Sequence, residues 1–133
     1  LMRSVECLAQ NLFISPPAIS QIAGLGALEA YEELDANVAR YARNRALLLE
    51  ELPRAGLDQL APADGAFYLY ADVSRYTNDA TDFCRRMLND IGVAATPGID
   101  FDPKEGHRFV RFSFAGATDD MAEAARRLRG WLR

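Results

Sequence analysis

The stretch Phe109-Val110-Arg111-Phe112-Ser113-Phe114 alternates with period two, and this ribbon constrains the fold more than any other part of the chain. Side chains along a strand point to opposite faces in turn. Val110, Phe112 and Phe114 therefore share one face, and Phe109, Arg111 and Ser113 share the other. Three large apolar groups on one face need a second layer to cover them. The strand is expected over Phe109 to Ala115. A second aromatic run, Ala66-Phe67-Tyr68-Leu69-Tyr70-Ala71, lies between Pro62, Asp64 and Gly65 on one side and Asp72 on the other. It predicts a partner strand. Val93 to Thr96 reads as a third, short strand that ends in the turn Pro97-Gly98.

Helical periodicity supplies the covering layer. From Asp35 to Leu52, Val38, Tyr41, Ala42, Arg45, Leu48, Leu49 and Leu52 recur at three- and four-residue steps. Asp35 is the expected cap, with Pro53 and Gly56 as stops. Asn78 or Asp79 caps a helix through Asp90 that carries Phe83, Met87, Leu88 and Ile91 on one face, with Gly92 as its C-terminal stop. Thr118 caps a last helix striped by Met121, Ala125, Leu128 and Leu132. Ahead of these, Leu1 to Asn11 has helix-like spacing. A further helix is expected from Pro16, capped by Ser15, with Ile19, Ile22, Ala23 and Ala27 inward. One unbroken helix from Pro16 to Leu52 would be about 55 Å long, so either a kink or break near Tyr31 to Asp35 or an arm projecting away from the core is expected. The expected fold class is α+β: a small, mainly antiparallel sheet with helices packed on one face, preceded by a helical N-terminal arm. The arm spans 1–34 and the sheet domain 35–133.

Composition narrows the function. The 133 residues are 50% hydrophobic and 26% charged, ordinary for a globular chain and unlike a disordered one. A net charge of -4 supplies no basic footprint for nucleic acid or anionic lipid. No apolar run reaches bilayer length, and no secretion signal is visible. Cys7 and Cys84 are far apart and have no metal-ligand spacing, which reads as reduced thiols in a cytoplasmic protein. The chain opens at Leu1 directly in helix-like sequence, which suggests a piece of something longer. His107, the only histidine, lies in a polar loop and reads as solvated. One histidine and two distant cysteines assemble no metal site. Neither a GxSxG elbow nor a phosphate-cradling glycine loop is present. The acid pairs Glu32-Glu33, Glu50-Glu51 and Asp119-Asp120 are explained by solvation or helix dipoles.

Two features remain. Arg111 is flanked by apolar strand residues. Its planar fork suits bidentate binding of a carboxylate or phosphate, and an apolar wall strengthens such a pair. Residue chemistry alone leaves an equal alternative, an arginine on the open face of a sheet or paired with an internal acid. The loop Ala95 to Phe101 contains Ile99 and Phe101, apolar residues that line a pocket, meet another domain or fold back on the core, the last being the commonest case.

Gly92-Val93-Ala94-Ala95-Thr96-Pro97-Gly98, then Phe101, Gly106 and Phe109 to Ala115, resemble the C-terminal signature of class I/II aminotransferases, the pyridoxal-phosphate enzymes of the aspartate aminotransferase fold. Gly65-Ala66-Phe67-Tyr68 is similar to the strand that opens their small domain. Tyr41-Ala42-Arg43-Asn44-Arg45 resembles the helix entering it, and Gln10-Asn11-Leu12 through Ser20-Gln21 the stretch upstream. The resemblance implies that Arg111 binds the substrate α-carboxylate and that Phe67 or Tyr68 lines the substrate side of the pocket. It implies a homodimer, amino-acid and keto-acid substrates, and pyridoxal phosphate in the full-length enzyme. The family's cofactor-binding lysine belongs to a large N-terminal domain. Lys104, the sole lysine here, sits in an Asp-Pro-Lys-Glu-Gly loop unlike that motif. No cofactor is expected on this chain alone, and it should be inactive by itself. A lyase or decarboxylase of the same fold, an effector-sensing module of a transcription regulator and a non-catalytic oligomerisation domain are the alternatives. Leu8, Leu12, Phe13, Ile19 and Ile22, without a large domain to cover them, predict self-association through the arm.

Overall fold

The computed structural model describes all residues, 1–133. The chain divides into two compact units, Leu1–Asn37 and Val38–Arg133.

The first unit is helical. Helix α1 spans Met2–Leu12 and α2 spans Ala18–Ala27. The Ser15 cap is not formed: α2 starts after Pro17, which is extended (φ -55°, ψ 141°), and no side chain caps it. A residue that precedes proline is kept out of the helical region, so Pro16-Pro17 delays the start. Ile19 and Ile22 are not inward either. Neither helix buries a single residue, and Ile19 is 73% exposed. Helix α3 then runs Tyr31–Ala55. Its start precedes the expected Asp35 cap because Glu32 and Glu33 already place negative charge in the first turn. The break between α2 and α3 falls at residues 28–30 rather than 31–35.

The second unit holds the core. Pro53 does not stop α3 but occupies its last turn; Gly56 ends it at φ +104°, with Leu57 N–H donating to the Leu52 carbonyl at 2.9 Å. That 6→1 bond with glycine in the left-handed region is the Schellman pattern. Strand β1 is Tyr68–Asp72, α4 is Ala80–Ile91, β2 is Thr96–Pro97, β3 is Phe109–Ser113 and α5 is Thr118–Trp131. Helix α4 follows local rules closely. Asp79 accepts from the Thr81 and Asp82 amides, and Gly92 closes the helix in the left-handed conformation. Its inner face is Ala80, Phe83, Cys84 and Met87, whereas Leu88 is exposed. Thr118 does not cap α5. Ala117 stands at that position, and the Thr118 hydroxyl donates instead to Asn44 Oδ1 at 2.7 Å.

The sheet is antiparallel with order β1-β3-β2, so the alternating ribbon is its centre. All three strands are shorter than the sequence predicts, and β3 ends at Ser113 rather than Ala115. Ala66 sits at φ +58°, which keeps Ala66 and Phe67 outside β1, and Pro97 has no N–H to extend β2. Leu69 and Ala71 of β1 and Val110 and Phe112 of β3 face the core. Leu48 and Leu52 of α3, Phe83 and Met87 of α4, and Leu128 of α5 cover them. This is the α+β layer arrangement, with helices on one face. The other face carries Tyr68, Tyr70, Phe109 and Arg111.

Candidate active site

Arg111 occupies the middle of β3, opposite Tyr70 of β1 and Thr96 of β2. Its guanidinium carbon lies 4.5 Å from the Phe101 ring centroid and 5.3 Å from that of Tyr68. Nη2 donates a long hydrogen bond to Thr96 Oγ1 at 3.4 Å, and Nε is buried with no partner. No carboxylate neutralises this cation. Arg108, three residues earlier, is the contrast: it pairs with Asp72 through Nε and Nη2. Burial of Asp72 works to raise its carboxyl pKa, but hydrogen bonds from Ser74 and Arg108 outweigh that and hold it below the usual carboxylate range. One arginine of the ribbon is thus satisfied internally. The other is flanked by aromatic rings and pairs with no acid.

Of the two aromatic residues singled out from sequence, Tyr68 touches the guanidinium. Phe67 does not reach it, and packs edge-to-face against Tyr68 with centroids 6.0 Å apart. Ile99 is half-open to solvent, and Phe101, 53% exposed, supplies the closest ring. Phe101 is held by a braced turn. The Phe101 and Asp102 amides both donate to the Gly98 carbonyl at 2.9 Å, and Gly106 N–H donates to the Asp102 carbonyl at 2.9 Å. Asp102 Oδ1 accepts from the amides of Lys104 and Glu105, and these bonds lower its pKa. The backbones of Gly98 and Gly106 pack so closely that a methyl group on Gly98 would stand 2.7 Å from the Gly106 carbonyl oxygen. Tyr70 lies against the same turn and stacks on Phe109 at 4.8 Å. Its hydroxyl is buried without a partner, and that burial, with the Asp102 charge, raises its pKa. His107 is exposed in the one-turn 3-10 segment Gly106–Arg108.

Sequence reasoning missed Asn44. It is fully buried on α3, donating to the carbonyls of Phe114 (2.9 Å) and Gly116 (3.0 Å) and accepting from Thr118. The available signal was its place between Tyr41 and Leu48 on the inner stripe of a helix.

The model for aminotransferase class I and II matches residues 4–128. The chain belongs to the class I and II aminotransferase family. It is 55% identical to the valine–pyruvate aminotransferase of Mycobacterium tuberculosis, over 99% of this chain and 34% of the relative. It is 33% identical to the (5-formylfuran-3-yl)methyl phosphate transaminase of Methanocaldococcus jannaschii, over 99% of this chain and 35% of that protein. Among solved aminotransferases, a Mycobacterium tuberculosis structure superposes with a TM-score of 0.85 at 55% identity, covering 99% of this chain and 35% of that one. One from Silicibacter pomeroyi gives 0.86 at 51%, covering 98% and 35%. The chain thus spans about a third of the length of the aminotransferases it matches.

The family implies pyridoxal phosphate. The donors at Arg111 are one guanidinium, one hydroxyl and aromatic faces, which suit a carboxylate. Lys104, the chain's one amine side chain, is exposed, and its backbone N–H caps the Asp102 turn. The residues present here do not fit the covalently held cofactor.

Proposed function

We propose that this chain is the substrate-closing part of an amino-acid transaminase, with residues 35–133 as its small domain and 1–34 as the arm leading to a large domain. Arg111 binds the α-carboxylate of the amino-acid or keto-acid substrate. The observation that supports this reading is the Arg111 guanidinium itself, ringed by Tyr68 and Phe101 and unpaired with any acid. A planar fork can give a carboxylate two parallel N–H···O bonds, and aromatic walls reduce the competition from water. Fixing the carboxylate fixes the amino group at the other end of the substrate, which is a contribution of position rather than of proton transfer. Tyr68 steadies the cation, and Phe67 lines the approach beside it. Closure of such a domain over its substrate would exclude water from the reaction.

In this reading pyridoxal phosphate is held by the rest of a longer protein, which acts as a homodimer in the cytoplasm. The 133-residue chain alone is inactive. The Mycobacterium tuberculosis relative is named for valine and pyruvate, so these are the first substrates to try. Steady-state kinetics on the complete protein carrying this chain test the assignment. Arg111→Lys keeps the charge but loses the fork, and is expected to raise KM for valine about tenfold, with a larger rise for Arg111→Ala. Unchanged KM and kcat in both variants would remove Arg111 from the site.

A further inference from the structure

We infer that Phe101 is a specificity-determining residue that makes the Arg111 site select flat carboxylates over tetrahedral anions of the same charge. The inference rests on the reading of Arg111 as a substrate anchor. The two rings reach the guanidinium from either side of the central strand, Tyr68 from β1 and Phe101 from the turn that follows β2. Phe101 is the nearer, at 4.5 Å against 5.3 Å. Nε is buried and Nη2 leans on Thr96, so the part of the group left for a ligand is the edge of the fork. A carboxylate approaching that edge keeps both oxygens in the guanidinium plane. A sulfonate must place at least one oxygen out of that plane, toward a ring whose face carries negative charge. The flanking rings therefore cost the tetrahedral anion contact distance and electrostatic energy that the flat one escapes.

Selection requires that the backbone carrying the ring does not drift, and the turn provides this. Phe101 is braced by the paired bonds to the Gly98 carbonyl, by the Asp102 cap and by the close packing of Gly98 on Gly106. More than half of the Phe101 surface is nonetheless open, so the ring is not there to fill the core.

The test measures inhibition of the complete protein by 3-methylbutanoate and by 2-methylpropane-1-sulfonate, which share a hydrocarbon and a single negative charge. The unaltered protein is expected to prefer the carboxylate. Phe101→Leu is expected to shrink that preference roughly threefold or more, and Phe101→Trp to retain it. The ratio of the two inhibition constants is insensitive to a general loss of folded protein. Equal inhibition by the two anions in the unaltered protein, or a preference unchanged in Phe101→Leu, overturns the inference. Arg111→Lys separates it from the underlying reading. If that variant weakens both anions while Phe101→Leu leaves their ratio unchanged, Arg111 is the anchor and only the role of Phe101 fails. If Arg111→Lys weakens neither, both fail.

Discussion

Arg111 and Arg108 have the same side chain within one short ribbon, yet they differ in everything that matters to a ligand. Arg108 meets Asp72 and is satisfied; Arg111 meets rings and no acid. The alternation of the ribbon told which face Arg111 occupies, because the period of a strand is set by its backbone. Whether an acid would neutralise it depended on residues far along the chain, and the sequence left those alternatives even. Asn44 shows the same limit from the other side. A buried amide is tolerated only when its donors and acceptor are met, and here three partners come from residues 114, 116 and 118. Asn44→Ala strands those groups in the core and should lower stability by about 2–3 kcal/mol, read as a reduced midpoint in urea unfolding. A midpoint within error of the unaltered chain would mean that water replaces the amide.

At the scale of elements, local rules held where nothing competed with them. The Asp79 cap and the Gly92 stop frame α4 as the sequence indicates. They failed at Ser15, Asp35 and Thr118, each for a different reason: a following Pro-Pro pair, an earlier acidic first turn, and a more distant partner for the hydroxyl. The start of β3 is tied to the end of β1 by the Arg108–Asp72 pair and by Val73 N–H donating to the Arg108 carbonyl at 2.8 Å. The lowered Asp72 pKa gives this tie a pH dependence. A carboxyl held lower in the folded chain than in the unfolded one contributes stability above its unfolded pKa. That contribution is lost as pH falls through the folded value. Urea unfolding from pH 7 down to pH 3 should therefore show a steeper acid loss in the unaltered chain than in Asp72→Asn. The variant should be the less stable of the two at pH 7. Parallel pH profiles would mean that Asp72 contributes nothing.

At the scale of the whole molecule, the residues that build a core and those that do not are sharply separated. Residues from α3 to α5 and the sheet form one buried cluster. In Leu1–Asn37, Leu12, Phe13 and Ile19 stand open, Phe13 being 77% exposed. Apolar surface of this kind drives association when no partner covers it. The 133-residue chain should form assemblies whose size in light scattering grows with concentration, and Leu12→Ser with Phe13→Ser should reduce it. A strict monomer at high concentration would show that the arm needs no cover. No helix is long and apolar enough to cross a membrane.

By itself the sequence determined the order of helices and strands, the cap and stop of α4, the inner face of β3, and the side of the sheet on which Arg111 stands. Those follow from backbone periodicity and from caps made within a few residues. Only the tertiary structure decided that Arg111 is free of acids, that Tyr68 and Phe101 flank it, and that Asn44 is a structural hub. Each of these depends on which groups, tens of residues apart, are brought within a few ångströms, and ion pairing, ring contact and desolvation act only at that range.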